Sequence, residues 1–217
     1  GAVMEYEDWA KIAEALKDKD ILIISDEIYA ELTYTGKPHC SPAQFPELKD
    51  KVIIASGFSK SFAMTGWRLG YALGPAPIIK QMTKVHQYVI MCAPTLSQRA
   101  AIEGLRSCEG EVEKMRKQYD MRRRVMRQGF LDMGLDCFEA LGAFYLFPCI
   151  KSTGLSSEEF CRRLLFEEKV AVVPGNALGD CGEGFIRCSY AYSVEDIKKA
   201  LERIARFLDK LKKERNA

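Results

Sequence analysis

The chain has 217 residues, of which 47% are hydrophobic and 29% charged, with a net charge of only +2. This composition excludes a disordered chain and supports one large domain or one and a half ordinary ones with a sizeable core. It also excludes an overall basic field of the kind that attracts nucleic acid, and no apolar run is long enough to span a bilayer.

In chain order, "EYEDWAKIAEALKDKD" comes first and spaces Trp9, Ile12, Ala13 and Leu16 along one helical face. The next stretch, "ILIISDEIY", carries the continuous apolar run Ile21–Ile24, which predicts a strand buried on both faces. "KVIIAS" at 51–56 predicts a second such strand and "LGYALG" at 69–74 a third. Helix alternating with buried strand implies an α/β fold with a mostly parallel sheet. From Pro77 to about Gly134 the pattern is helical, with breaks near Cys92–Pro94 and Glu109–Gly110. The basic run "EKMRKQYDMRRRVMR" at 113–127 lies beside Val112, Met115, Tyr119, Met126 and Met133 at helical spacing. It reads as the solvated face of a long amphipathic helix, not as a nucleic-acid contact.

After Gly134 the texture changes to that of a smaller α+β unit. "GAFYLFPCI" (142–150) reads as a strand, and "SSEEFCRRLLFEEK" as a helix with Ser156 and Glu159 spaced as a capping box. "VAVVPG" and "GFIRCSYA" read as two more strands. Ser193 caps a final helix whose core stripe is Val194, Ile197, Leu201, Ile204, Leu208 and Leu211. The chain therefore divides into residues 1–134, part of a large domain with its long connecting helix, and residues 135–217, a small α+β domain.

Eight cysteines without a C-x-x-C pair read as reduced packing thiols, which places the chain in the cytoplasm. His39 and His86 lack ligand spacing and default to structural or surface roles, so no metal is expected. No secretory leader is expected either.

Ligands in open parallel sheets bind beyond the carboxyl ends of the strands. Asp26 ends one predicted strand, and Lys60 follows another after a short glycine-containing loop. Each is unremarkable singly: an Asp after a strand is often a turn residue, and a loop lysine is usually solvated. Together they place a carboxylate and an amine at one crevice.

Four blocks then stand in order: "SDEIYAEL", "SGFSKSFAMTGWRLGYALGP", "GAFYLFP" and "VAVVPGNALGDCGEGFIRCSYA". From Gly1 to about Leu211 the chain resembles the class I and II aminotransferases, fold-type I enzymes that use pyridoxal 5'-phosphate. The resemblance implies that Lys60 forms a Schiff base with the cofactor aldehyde and shuttles the substrate's α-proton. It implies that Asp26 pairs with the pyridine nitrogen and that Tyr29 donates to the ring oxygen. Arg68 is implied as the fork for the cofactor phosphate, with Ser59 and Ser56 as hydroxyl candidates. Several relatives carry a serine where this chain has Gly57. Arg187 is implied as the bidentate partner of the substrate α-carboxylate. Trp67 is expected to pack rather than to stack on the cofactor, and Phe144 and Tyr145 to border the substrate pocket.

The implied activity is transfer of an amino group between an amino acid and a 2-oxo acid, in a full-length enzyme that is a homodimer. A pyridoxal-dependent β-elimination lyase and an aminotransferase-like sensor domain of a transcription regulator are the alternatives. The resemblance also implies that the chain is a C-terminal portion. It would then lack the glycine-rich phosphate loop, the stacking aromatic, the asparagine that shares the ring oxygen and the N-terminal arm. On that basis the chain alone should bind pyridoxal phosphate weakly or not at all and show little transaminase activity. Absorbance titration with the cofactor checks this, and a stable yellow 1:1 complex with normal turnover would contradict it.

Overall fold

The computed structural model describes residues 1–216. It has two compact units, Val3–Arg116 and Lys117–Ala217 with Gly1–Ala2, and each is taken by itself. In the first, helix α1 (Tyr6–Leu16) opens with a reciprocal cap in which Glu5 N–H donates to Asp8 Oδ2 at 3.0 Å. Its predicted face is used: Trp9, Ala10, Ala13 and Leu16 pack with Phe45, Leu48 and Val52. Strands β1 (Ile23–Asp26), β2 (Val52–Gly57) and β3 (Gly70–Leu73) form one sheet in that order. β1 and β2 run parallel with Asp26 opposite Ala55, whereas β2 and β3 are antiparallel with Gly57 opposite Gly70.

One expectation for this sheet fails. Ile21–Ile24 predicted burial on both faces, yet Leu22 is 58% exposed and Ile24 74%. The reason is position. β1 is an edge strand with β2 as its neighbour, and α1 and its partners cover the face of Ile23, Val52 and Ile54. Strand alternation sends Ile24 to the other face.

Helices α2 (Ala76–Val89), α3 (Thr95–Ser107) and α4 (Glu109–Asp132) follow, with breaks close to the predicted ones. The boundary between the two units falls inside α4. The solvated-face reading of its basic run fails at Arg123, which is 3% exposed. The guanidinium donates to Asp120 Oδ1 at 2.9 and 2.7 Å and to Glu139 Oε1 at 3.2 Å. A buried guanidinium survives only with such partners, because its desolvation must be offset by charged hydrogen bonds.

In the second unit, strands β4 (Tyr145–Leu146), β5 (Val173–Pro174) and β6 (Ile186–Ser189) form an antiparallel sheet in the order β4-β6-β5. The strands are much shorter than the sequence runs. Ala143 sits at φ 57°, outside strand geometry, and Pro148 and Pro174 cannot donate to a ladder. The Tyr190 hydroxyl, fully buried, donates to the Ala143 carbonyl at 3.0 Å and holds that kink.

Helix α5 (Ser157–Glu168) starts at Ser156, whose Oγ accepts from Glu159 N–H at 3.2 Å. The reciprocal half of the expected box is not made, since the Glu159 carboxylate instead takes the Arg162 guanidinium. Helix α6 (Val194–Arg215) is capped by Ser193 as expected, and Ile197, Ile204, Leu208 and Leu211 of its stripe are buried. Phe207, which the stripe omitted, is also fully buried and meets Phe160 of α5 edge-on at 5.2 Å between centroids.

Phe207→Ala should therefore cost about 3–5 kcal/mol through lost burial and cavity formation. Phe166→Ala, at a side chain 65% exposed, should stay within about 0.5 kcal/mol; urea unfolding of both variants checks the contrast. The Arg163 hydrogen bond, followed by that of Lys210, pulls the Glu167 carboxyl down to about 2. A depressed carboxyl stabilises above its unfolded value of 4.5 and loses that contribution as pH falls toward 2. Glu167→Gln should thus cost less than about 1 kcal/mol at neutral pH, as expected of a largely solvated pair. The difference should disappear on acidification, as read from unfolding midpoints across pH.

Candidate active site

Because β1 and β2 are parallel, both carboxyl ends lie at one edge of the sheet. Asp26 ends β1, and its Oδ1 accepts from Ile28 N–H at 3.2 Å, which starts a turn. Ala30 N–H closes that turn on the Glu27 carbonyl at 3.0 Å. Tyr29 is thereby presented at the strand end, and Lys60 Nζ lies 6.0 Å from its ring centroid. Lys60 and Tyr29 are half-buried, whereas Asp26 is exposed.

Lys60 is carried by the segment 58–69 between β2 and β3. Phe62 and Met64 N–H both donate to the Phe58 carbonyl, at 3.3 and 3.2 Å, and Phe58 N–H donates to Leu69 O at 3.2 Å. Phe58, Met64 and Ala101 form the apolar base of this segment, with Phe62 and Leu69 against it. Two non-glycine residues in it adopt left-handed backbone, Ala63 at φ 53° and Arg68 at φ 52°. Such conformations cost about 1–3 kcal/mol each and concentrate at functional sites. The exposed Arg68 guanidinium donates to the Thr65 carbonyl at 2.8 Å. Ser59 is half-buried beside Lys60. A Cβ at Gly57 would lie 2.9 Å from the Leu69 carbonyl oxygen and 3.0 Å from Gly70 Cα. No side chain, and so no serine hydroxyl, fits there without moving backbone.

Ser56 lies elsewhere. It alternates with Ala55, the register partner of Asp26, so it points to the opposite face of the sheet. Its hydroxyl donates to the Glu27 carbonyl at 3.1 Å, and it lines a cavity of about 500 Å³ with Tyr71 and Phe62. Trp67 does not pack as expected: its side chain is 47% exposed, while its backbone is engaged, with N–H donating to the Met64 carbonyl at 3.2 Å and the carbonyl accepting from Ser97 Oγ at 2.7 Å.

Arg187 belongs to the second unit. It shares a sheet face with Tyr145, Val173 and Ser189 through the register of β4, β5 and β6. Its guanidinium lies 4.7 Å from the Tyr145 ring centroid. Both line a cavity of about 560 Å³ whose other cationic side chains are Lys169, Lys199 and Arg203, with Asp196 opposing them. Phe144 meets Tyr119 and Tyr145 in tilted ring contacts, at 5.6 and 4.8 Å between centroids.

One cluster has no counterpart in the sequence-based expectations. Glu27 is 9% exposed; Ser41 Oγ donates to its Oε1 at 2.6 Å, and His39 Nε2 lies 3.1 Å from its Oε2. Burial pushes the Glu27 carboxyl up, but the close His39 imidazole and the Ser41 hydrogen bond outweigh it and hold the group below the usual glutamate value. Alternation could have flagged a carboxylate beside Asp26 on the covered face of β1. Nothing in sequence spacing pairs it with residues 12 and 14 positions on.

Comparison with known proteins identifies the class. The family model for aminotransferase class I and II matches residues 1–204. This chain belongs to that family, whose members generally depend on pyridoxal phosphate. It is 50% identical over 210 residues to the putative aminotransferase YugH of Bacillus subtilis, covering 97% of this chain and 54% of that protein. It is 43% identical to the aspartate aminotransferase of Pyrococcus abyssi, covering 96% of this chain and again 54% of that protein. The solved aromatic aminotransferase of Pyrococcus horikoshii superimposes with a TM-score of 0.94 at 42% identity, over 97% of this chain and 57% of that one. The chain thus spans about half the length of the relatives it matches. Among the described residues no helix is long and apolar enough to cross a membrane.

Proposed function

We propose that this chain serves pyridoxal-phosphate-dependent transfer of an amino group between an amino acid and a 2-oxo acid. The observation that carries the proposal is the Lys60 amine beside the Tyr29 ring, at the edge where Asp26 and Gly57 end two parallel strands. The donor set fits the cofactor chemically: an amine for an aldehyde, a carboxylate for a ring N–H, a phenol for a ring oxygen, and a guanidinium for a phosphate. When bound, the cofactor supplies an electron-accepting ring.

Each residue has one task. Lys60 would hold the cofactor covalently, and its Nζ would take the substrate's α-proton and return it. The Asp26 carboxylate would keep a proton on the ring nitrogen by pairing with it, a preorganised electrostatic contribution of several kcal/mol, about 3 by analogy with other fixed donors. Tyr29 would donate a hydrogen bond from its phenol. Arg68, after exchanging its Thr65 contact, would grip phosphate, with Ser59 as the adjacent hydroxyl. Ser56 has no part in this set, because it faces the other side of the sheet. Arg187 would bind the substrate carboxylate as a fork, held over the Tyr145 ring at 4.7 Å from its centroid. We further propose a homodimeric, cytoplasmic enzyme, in keeping with the reduced-thiol pattern of the cysteines. The large-domain assignment of residues 1–134 and the small-domain assignment of 135–217 belong to the same proposal.

Borohydride reduction of the protein mixed with pyridoxal phosphate, followed by peptide mapping, tests the assignment. Label should concentrate on Lys60, disappear from that peptide in Lys60→Ala, fall in Arg68→Ala, and be little changed in Ser56→Ala. Label concentrated on another lysine would refute it.

A further inference from the structure

Glu27 is the most heavily engaged buried acid in the first unit, and none of the roles above uses it. Three sets of contacts meet at this one residue. Its backbone N–H donates to the Ala55 carbonyl at 2.8 Å, which continues the β1–β2 pairing one step beyond Asp26. Its carbonyl accepts from Ala30 N–H at 3.0 Å, closing the turn that carries Tyr29, and from Ser56 Oγ at 3.1 Å, tying that turn to β2. Its carboxylate passes to the covered face, where Ser41 donates to Oε1 and His39 Nε2 approaches Oε2. A carboxylate accepts only, so the Ser41 hydroxyl is the donor to Oε1, with His39 Nε2 3.1 Å from Oε2.

Strand alternation gives these contacts a direction. Asp26 and Glu27 are consecutive, so their side chains leave on opposite faces. A peg anchored on one face therefore fixes the backbone from which its neighbour projects on the other. The same backbone atom, the Glu27 carbonyl oxygen, is the acceptor that shapes the turn up to Tyr29. A one-ångström slip there would move the carboxylate and the phenol together relative to Lys60.

We propose that Glu27, clamped by His39 and Ser41, is a positioning residue that sets the Asp26–Tyr29 turn against the end of β2 and so fixes both groups relative to Lys60. It touches neither substrate nor cofactor. The roles of Asp26, Tyr29 and Lys60 invoked here rest on the proposed function, whereas the clamp on the turn does not.

The test uses the 217-residue chain and the variants Glu27→Gln, Glu27→Ala and Leu48→Ala. Leu48 is fully buried in the α1–β2 cluster, so its truncation controls for general loss of stability. Two quantities are read. One is hydrogen exchange of the Ala30 and Leu32 amides in ligand-free protein; these amides donate to the Glu27 and Tyr29 carbonyls. The other is the pH profile of borohydride-trapped pyridoxal phosphate on Lys60. Glu27→Ala should speed exchange of the two amides about ten-fold, as loss of a local anchor lowers the opening free energy of its own turn. It should also displace the midpoint of the pH profile. Glu27→Gln, which keeps one acceptor for Ser41, should do both in the same direction and to a smaller degree. Leu48→Ala should lower the unfolding midpoint and leave both readouts unmoved. Unchanged exchange in Glu27→Ala, or a Leu48→Ala effect on the turn as large as that of Glu27→Ala, would overturn the proposal. If the unsubstituted chain concentrates label on a lysine other than Lys60, the cofactor assignment fails, and the exchange data alone decide whether Glu27 holds the turn.

Discussion

The parallel pairing of β1 with β2 is the constraint on which the site depends. Parallel strands end at the same edge, so a carboxylate finishing one and a lysine following the other leave the sheet together. An antiparallel pairing of the same two segments would have put them at opposite ends. The antiparallel β3 then returns the chain alongside β2, which forces residues 58–69 into a closed segment at that same edge. Lys60 and Arg68 are thus carried on one short piece of chain whose base is apolar and whose ends are hydrogen-bonded.

That segment shows how local strain and packing are balanced. Ala63 and Arg68 both take left-handed backbone without being glycine. The cost is offset by burial of Phe58 and Met64 and by the bonds to the Phe58 carbonyl. Gly57 and Gly70 stand opposite each other because the strands approach too closely for a Cβ. The lysine therefore projects from a well-defined turn, as the role proposed for it requires.

In the second unit the same economy of contacts serves a different group. Tyr190 is buried to hold the kink at Ala143 through one hydrogen bond, and the kink cuts β4 to two residues. Tyr145, two residues past the kink, supplies the ring over which Arg187 lies. The aromatic trio of Tyr119, Phe144 and Tyr145 ties that strand to α4. The buried Arg123 with Asp120 and Glu139 fixes the same helix by charge. The match to the aminotransferase class I and II family covers residues of both units.

Much of this was legible in the linear pattern. Helical patterning located α1 to α6 among the described residues, though not short turns such as Pro42–Gln44, and the composition of the four blocks carried the family, because those residue types are demanded by chemistry and lie close together in sequence. Lys60, Asp26, Tyr29, Arg68 and Arg187, the residues of the proposed site, all lie in those blocks. What sequence could not decide was set by neighbours distant along the chain. Ile24 is exposed because β1 lies at an edge, and an apolar run does not state its place in a sheet. Arg123 is buried because Glu139 reaches it from beyond the helix, so a basic run cannot be assumed to face water. Ser56 faces away from Asp26 because of strand register, which alternates every residue while a motif reads only spacing. Glu27 finds His39 and Ser41 only once a loop has folded back over the covered face of the sheet. Local pattern determined the elements and the chemical groups; long-range pairing alone decided which face each group occupies and what it touches.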